Sequence, residues 1–323
     1  MSIDIGKMEN KIQFYYPGIR PEKADPKSGP DCWVIKTYDK LQHSGCTSDI
    51  KLVSEIPDTG ITIFHKGLFP KGLRPSKKQY FVCIQADYGR YRFAQYHIHQ
   101  NPAGPRNFGF SKRAFVEDLI FPFTGNSFMP HWNQDDIIPR DSVRGTHFEN
   151  IVFMGLEKNF PQELTKGNFI NRLNEMGLKL KLITDDSSWS DYSEADCVLA
   201  IRDLNAEPHY NKPSSKIINA LLAGVPVVAG HESSALYLKR RHHVAIECVQ
   251  DEDALIRAII KIRSAYSDAL EGVKESNKKL DCYHDKSIIT QWVELFEELR
   301  KCYHRWSGAA EMHRQLFYKY SRI

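Results

Sequence analysis

Arg202, Lys212, Ser214, Ser215 and Lys216 put three cations and two hydroxyls into a short span of the chain. Those residue types suit one task, the binding of phosphate oxygens. Pro213 fits the first turn of a helix, where its missing N–H costs nothing. Ser214, Ser215 and Lys216 then fall where backbone N–H groups have no partner inside the helix. The helix dipole and those N–H groups together attract an anion. For any one lysine, a solvated basic helix start is the plain alternative. Three cations converging on one loop favour a diphosphate. Asn219 lies one helical turn further in, and Glu232, Ser233 and Ser234 follow the next apolar run.

The elements that position these residues can be read from the flanking pattern. Val198 to Ile201 is a short apolar run, as expected of a buried strand. Ile217, Ile218, Ala220, Leu221 and Leu222 make the following stretch a largely buried helix, and Gly224 stops it. Val225 to Ala229 is a second buried strand. Strand, loop, helix and strand in that order form a unit of a parallel sheet. Such a unit presents its helix start at the carboxyl edge of the sheet.

The segment from Asn219 to Val228, Asn-Ala-Leu-Leu-Ala-Gly-Val-Pro-Val-Val, resembles the Glu-Ala-Met-Ala-Cys-Gly-Thr-Pro-Val-Val signature of GT-B glycosyltransferases. The longer pattern Lys-Pro-Ser-Ser-Lys-Ile-Ile-Asn-Ala-Leu-Leu-Ala-Gly-Val-Pro is similar to a bacterial branch of glycosyltransferase-like proteins. The resemblance implies an α/β protein of two Rossmann-like domains facing a cleft, with a C-terminal helix crossing back to the first. It places a nucleotide-sugar donor in the second domain, with Gly155 at its entry and Asn219 in the site; together with the residues read above, the expected donor site is Gly155, Arg202, Lys212, Ser214, Ser215, Lys216, Asn219, Glu232 and Ser233. It also implies hexosyl transfer to a hydroxyl acceptor without a metal, because a helix start and basic side chains can stabilise the leaving diphosphate. No cofactor is expected beyond the substrate itself. The large retaining group carries two glutamates eight positions apart, and here those positions are Asn211 and Asn219. Asparagine still hydrogen-bonds a ribose hydroxyl, so Asn219 is the expected ribose contact.

The chain has 323 residues, enough for two domains of ordinary size. With 41% hydrophobic and 26% charged residues it has the composition of a soluble globular protein. No apolar run approaches a membrane span, and the first residues lack the apolar core of a signal peptide. The seven cysteines, Cys32, Cys46, Cys83, Cys197, Cys248, Cys282 and Cys302, form no CxxC pair. A zinc site or disulfide framework is therefore not expected, and a reducing, cytoplasmic setting is. The net charge is +4, with the whole excess in residues 1–150. That bias permits an anionic acceptor or a loose contact with a membrane surface, and it does not argue for nucleic acid.

The chain reads as domains over 1–149 and 150–304, and the resemblance implies that 305–323 pack back on the first. In the first half, Lys11 to Tyr16 is a strand followed by a loop carrying Gly18 and Arg20, the candidate acceptor-binding residues. Cys32 to Leu41 fits a helix with Trp33, Ile35, Tyr38 and Leu41 inward. Ile50 to Val53 and Gly60 to His65 are strands, and Leu68 to Lys78 is a lysine-rich loop. Tyr80 to Asp87 is the clearest strand. Asp87 at its end would face a ligand crevice, and it is the candidate base for the acceptor hydroxyl. A structural role, pairing with Arg90 or Arg92, competes with that. A further strand runs from Phe93 to Asn101, and His97 and His99 share one of its faces. They lack an evident third metal ligand. His131 is the rival base, in the Pro130-His131-Trp132 segment that leads to Ile138-Pro139-Arg140. Trp132 either lines the cleft or packs the domains together.

In the second half, Ile151 to Gly155 is a strand ending in glycine, the usual entry to a donor domain. Glu163 to Met176 is an amphipathic helix and Leu178 to Thr184 a strand. Beyond the central unit come a short helix over 234–239, a strand over 244–249, and helices over 251–279 and 287–304. Two other readings keep the same lobes. A sugar-nucleotide epimerase would need acid and base carboxylates and no acceptor, and a non-catalytic relative would bind the nucleotide without turnover.

Overall fold

The computed structural model describes residues 11–45, 49–104, 120–205 and 207–320; Cys46 lies outside them. The chain divides into two compact units, residues 1–132 with 285–323, and residues 133–284. These divisions fall earlier than the 149/150 and 304/305 expected.

In the first unit, β1 (Ile12–Tyr15) leads through a π-helical turn, Asp31–Ile35, into α1 (Lys36–His43). The strands β2 (Ile50–Val53), β3 (Gly60–His65), β4 (Gln79–Ile84), β5 (Tyr96–His99) and β6 (Gly125–Phe128) follow. Among the described residues they form one sheet in the order β2-β1-β3-β4-β5-β6. Every pairing is parallel. The carboxyl ends of all six strands therefore share one edge, where loops carry function in such sheets.

The second unit contains β7 (Asn150–Met154), α2 (Gln162–Lys166), α3 (Phe169–Glu175), β8 (Lys179–Ile183) and β9 (Cys197–Ala200). Then come α4 (Ser215–Leu222), β10 (Val227–Gly230), α5 (Ser233–Arg241), β11 (Glu247–Val249), α6 (Glu252–Ser264) and α7 (Tyr266–Lys279). Its sheet, β11-β10-β9-β7-β8, is again parallel throughout. Ile151, Phe153, Leu199 and Val228 on the strands bury against Leu255 and Ile259 of α6 and Phe169 and Leu173 of α3.

The C-terminal helices α8 (Asp285–Gly308) and α9 (Glu311–Tyr320) belong to the first unit. Trp292 and Phe296 on α8 meet Phe14 of β1 at ring-centroid distances of 5.9 and 6.3 Å. Trp306 meets Phe123 at 5.0 Å. The apolar register of α8 thus begins well before the return expected at 305.

Several expected elements change at particular residues. β4 stops at Ile84, because Ala86 takes a left-handed conformation (φ 47°) and Tyr88 N–H closes a turn onto Gln85 O at 2.9 Å. Asp87 therefore lies in an exposed turn beyond the strand. β6 went unread, since Gly125-Asn-Ser-Phe has no apolar run. The helix expected over 163–176 breaks at Gly167, whose extended backbone (φ −83°, ψ −167°) ends α2. The single helix expected over 251–279 breaks at Ala265, which leaves the helical region (φ −129°, ψ 45°).

Trp132 is buried in the first unit and donates its indole N–H to Thr37 Oγ1 at 2.7 Å. The segment after it joins the second unit. Ile138 N–H donates to Ser190 O at 2.8 Å, and Arg140 N–H to Ala223 O at 2.8 Å. Among the described residues no helix is long and apolar enough to cross a membrane.

Candidate functional site

The second unit brings together most of the cationic span read from the sequence. β9 ends at Ala200, and Ile201 is still buried, so Arg202 is the first side chain free to turn at the sheet edge. The loop after it folds on itself. His209 (φ 44°) contacts Asp203 Oδ2 through Nε2 at 2.5 Å, and Lys212 N–H donates to His209 O at 2.9 Å. Ser214 precedes α4, and its carbonyl accepts from Ile217 and Ile218 N–H, each at 3.0 Å. Its hydroxyl does not cap the helix, so the side chain spends none of the first-turn N–H groups. Ser215 is the first helical residue.

Lys216 is the unusual member. Its ammonium lies 4.1 Å from the centroid of the Phe153 ring, at the end of β7. It also fills the space beside Gly155 (φ 144°), where a Cβ would stand only 2.8 Å from Nζ. Among the described residues Lys216 forms no salt bridge. Burial pushes its pKa down from 10.5 to about 7; the Arg202 charge adds to that and Glu232 opposes it.

Glu232 is the counterweight. It stands immediately before α5 in an extended conformation, yet its side chain does not cap that helix. Its Oε2 instead accepts from the Arg202 guanidinium. Arg202 also donates to Pro213 O at 3.4 Å, tying the start of α4 to the end of β9. The other carboxylate oxygen, Glu232 Oε1, is buried and has no partner. Burial raises the Glu232 pKa, against the pull of Arg202, His209 and Lys216. Ser233 N–H donates to Pro208 O at 2.8 Å, closing the loop over this edge.

Asn219 is buried, and its amide is engaged by Gln134. Asn219 Nδ2 donates to Gln134 Oε1 at 3.0 Å, and Gln134 N–H donates to Asn219 Oδ1 at 3.3 Å. Gln134 escaped the sequence reading, since nothing in its neighbourhood signals a contact 85 residues away.

In the first unit, a second set gathers at the carboxyl edge. Trp33 donates its indole N–H to Gln100 Oε1 at 3.1 Å, and Gln100 Nε2 donates to Asp87 Oδ1 at 2.8 Å. The Trp33 ring meets His131 edge to face at 5.1 Å. His131 Nδ1 lies 2.8 Å from Trp132 O. A carbonyl only accepts, so Nδ1 carries the proton and Nε2 keeps its lone pair. Burial lowers the His131 pKa, and the Asp87 charge pulls it back up in part. His65, the last residue of β3, has the opposite tautomer. Its Nδ1 accepts from Gly67 N–H at 3.2 Å, and its buried Nε2 has no partner. Burial takes its pKa to about 4, with Asp87 opposing.

His65, Gln100 and Trp33 were missed as site residues. The signal for His65 was present, because it is a polar residue closing a buried strand, the same rule that selected Asp87. Gly18 and Arg20 do not join this set. Gly18 (φ 89°) has open space where its side chain would be. Arg20 pairs with Asp39 of α1 at 2.5 Å and lies over Tyr38 at 5.7 Å. His97 and His99 are both buried in the sheet, and His97 Nε2 bonds Tyr91 O at 3.1 Å. Among the described residues no three His, Cys, Asp or Glu side chains are grouped to hold a metal.

No family model matches the sequence, and no curated relative matches it. Solved structures do match. The Anabaena protein HepE, solved in complex with UDP and glucose, is 13% identical, with a TM-score of 0.56 over 90% of this chain and 100% of its own. AviGT4, a glycosyltransferase involved in avilamycin A biosynthesis, is also 13% identical, with a TM-score of 0.53 over 90% of this chain and 98% of its own. At that identity the likeness speaks for architecture: the chain has the GT-B fold of two parallel-sheet α/β domains with a helical C-terminus.

Proposed function

We propose that the chain is a glycosyltransferase that moves a sugar from a nucleoside-diphosphate sugar to an acceptor hydroxyl without a metal. The observation that carries the reading is Lys216. A half-buried, desolvated ammonium with no salt bridge, beside the start of a helix, is costly unless an anion completes it. A diphosphate is an anion of the right kind for that place. Arg202 and the first-turn N–H groups at Ser214 and Ser215 would share its oxygens, and Lys212 flanks them in sequence. Gly155 leaves room for the ammonium. Asn219 is assigned to the ribose, and Glu232 with Ser233 to the sugar or nucleoside. HepE was solved with UDP and glucose, so UDP and UDP-glucose are the first probes.

Transfer breaks the bond between the sugar carbon and the diphosphate oxygen and forms one to the acceptor oxygen. The diphosphate leaves with the electron pair, and the cations of the second unit stabilise it. The acceptor proton needs a base. His131 fits better than Asp87, because its Nε2 lone pair is available while Asp87 Oδ1 accepts from Gln100. Asp87 then acts on the charge of His131. Arg20 would have to leave Asp39 to hold an acceptor, so the acceptor is assigned to the Asp87 and His131 set.

The test is a panel of nucleoside diphosphates by calorimetry, then sugar transfer with candidate acceptors. Binding with transfer supports the proposal. Binding with interconversion of the sugar and no transfer would replace it by the epimerase, and no binding at all would end it. Within the transferase, His131→Gln should cut turnover by about 10²–10⁴ with nucleotide affinity kept. Near-normal turnover in His131→Gln and a large loss in Asp87→Asn would move the base to Asp87.

A further inference from the structure

The loop between β3 and β4 has an unusual combination of composition and anchoring. No Asp or Glu occurs between Asp58 and Asp87, while Lys66, Lys71, Arg74, Lys77 and Lys78 fall in that interval. Lys66 is spent on the carbonyls of Gly89 and Arg90. Lys71, Arg74, Lys77 and Lys78 are exposed, and none of them forms an ion pair among the described residues. Leu73 sits among them, 37% exposed.

Beyond a 3-10 turn over Lys66–Leu68, this Pro- and Gly-containing loop has no regular structure and would ordinarily sample many conformations. This one is pinned by four aromatic donors. Tyr91 OH donates to Pro70 O at 2.8 Å and to Leu73 O at 3.0 Å. Tyr303 OH donates to Lys78 O at 3.0 Å, and Trp306 Nε1 to Ser76 O at 3.1 Å, both from α8. Tyr318 OH on α9 donates to Pro75 O. Arg74 stacks over Phe93 and Tyr318 at 5.1 and 5.8 Å. The backbone is held while the cations and one leucine stay outside. Met312, on the first turn of α9 beside this loop, is 68% exposed. Glu311 lies close enough to Lys77 to feel its charge, but its carboxylate is bonded to Arg314 and Gln315.

We propose that this face of the first unit docks on an anionic lipid surface. Unpaired lysines on a fixed backbone gain from a negative surface without first losing loop entropy. The exposed aliphatic side chains fit the boundary between headgroups and acyl chains. A single-stranded nucleic acid would want exposed aromatics for stacking, and here the aromatic rings are turned inward to hold the loop.

The experiment is flotation of the full chain with vesicles of phosphatidylcholine alone and of equal parts phosphatidylcholine and phosphatidylglycerol. Binding should require the anionic lipid and fall as salt rises above roughly 0.15 M. The triple variant Lys71→Gln, Lys77→Gln, Lys78→Gln should bind about a hundredfold more weakly, at about fivefold per cation. These side chains are exposed and form no ion pair among the described residues, and an unchanged melting temperature checks the fold. Arg240→Gln with Arg241→Gln, at the basic end of α5, should leave binding unaltered. Equal binding to both vesicle types, or an unaffected triple variant, overturns the proposal. So does an equal loss in the α5 variant, or binding to heparin as tight as to the anionic vesicles. None of these readouts depends on sugar transfer.

Discussion

The second unit contains two desolvated charges handled in opposite ways, Asp196 wholly buried and Lys216 half-buried. Asp196 is 0% exposed and fully satisfied. Its Oδ1 accepts from Arg140 at 2.9 Å and from Arg144 at 3.0 Å. Its Oδ2 accepts from Arg144 at 2.6 Å and from Glu149 and Asn150 N–H, each at 2.9 Å. Burial alone would raise its pKa, but the hydrogen bonds from Arg144, the two N–H groups and Arg140 outweigh burial and hold it below the ordinary carboxylate value. Lys216 is half-buried, and its partners are a phenyl ring, a like charge and the single carboxylate Glu232, which is already paired with Arg202. The first arrangement spends its polar groups on the fold. The second leaves them unspent at a sheet edge, which is why the nucleotide is proposed there.

The comparison breaks first at Asp196. Asp196→Ala leaves Arg140, Arg144 and two backbone N–H groups without their acceptor. Loss of one partner from such a buried set costs about 3–5 kcal/mol. Chemical denaturation should show that loss, with nucleotide affinity in the remaining folded protein little changed. Because its folded pKa is depressed, the stabilisation is present above the ordinary carboxylate range and is lost as pH falls through it. A variant as stable as the parent at neutral pH would mean that the cluster is not what fixes residues 140–150 to the second sheet.

Lys216→Met should act in the opposite sense. It removes a desolvated charge, so the nucleotide-free protein should be as stable as the parent or more so. Nucleoside-diphosphate affinity should fall by roughly 1.5–3 kcal/mol, the worth of a charge-assisted hydrogen bond. The pH dependence follows from the sign of the shift. With a folded pKa of about 7, the unfolded chain holds a proton between pH 7 and about 10.4 that the folded chain lacks. Stability contributed at this residue therefore rises with pH across that window, by at most about 1.4 kcal/mol per pH unit. Burial also raises Cys83 and Cys197 to about 12, which works the other way. The difference between parent and Lys216→Met isolates the lysine. A difference flat from pH 7 to 10 would mean that the ammonium is not desolvated.

Much of this was legible in the sequence where the signal is local. The β9–α4–β10 unit is written in three apolar runs, a proline and a glycine, and the structure has strands and a helix there. What the sequence could not show is how the cations are spent. Arg202 turning to Glu232, and Lys216 reaching across to Gly155, depend on strands that meet only in the fold. The same limit explains Asp87, where the apolar run hid a turn that Ala86 opens by going left-handed. It also explains β6, a strand with no apolar pattern, held by its pairing with β5. His131 and His65 were visible as histidines, but their tautomers are set by a carbonyl and an N–H that no spacing announces.

Asn219 gives the smallest effect and the sharpest test of whether the unspent region reaches the ribose. Its side chain is neither fully committed nor open, since one Nδ2 proton and one Oδ1 contact go to Gln134. If Asn219 meets a ribose hydroxyl, that interaction either uses the remaining donor and acceptor capacity or displaces Gln134. Gln134→Ala removes the side-chain half of the pair and leaves the Gln134 N–H in place. Stability should drop by about 1 kcal/mol, the net worth of one buried neutral hydrogen bond. Nucleoside-diphosphate affinity should hold or improve slightly, because the Asn219 amide no longer has to be won from a competitor. Asn219→Ala should weaken the same affinity by about tenfold or less, consistent with a neutral hydrogen bond to a hydroxyl. Comparing a ribonucleoside with a 2′-deoxyribonucleoside diphosphate in both variants separates the cases. A preference for ribose that survives in Asn219→Ala would place the ribose contact on another residue and leave Asn219 to the fold, alongside Asp196.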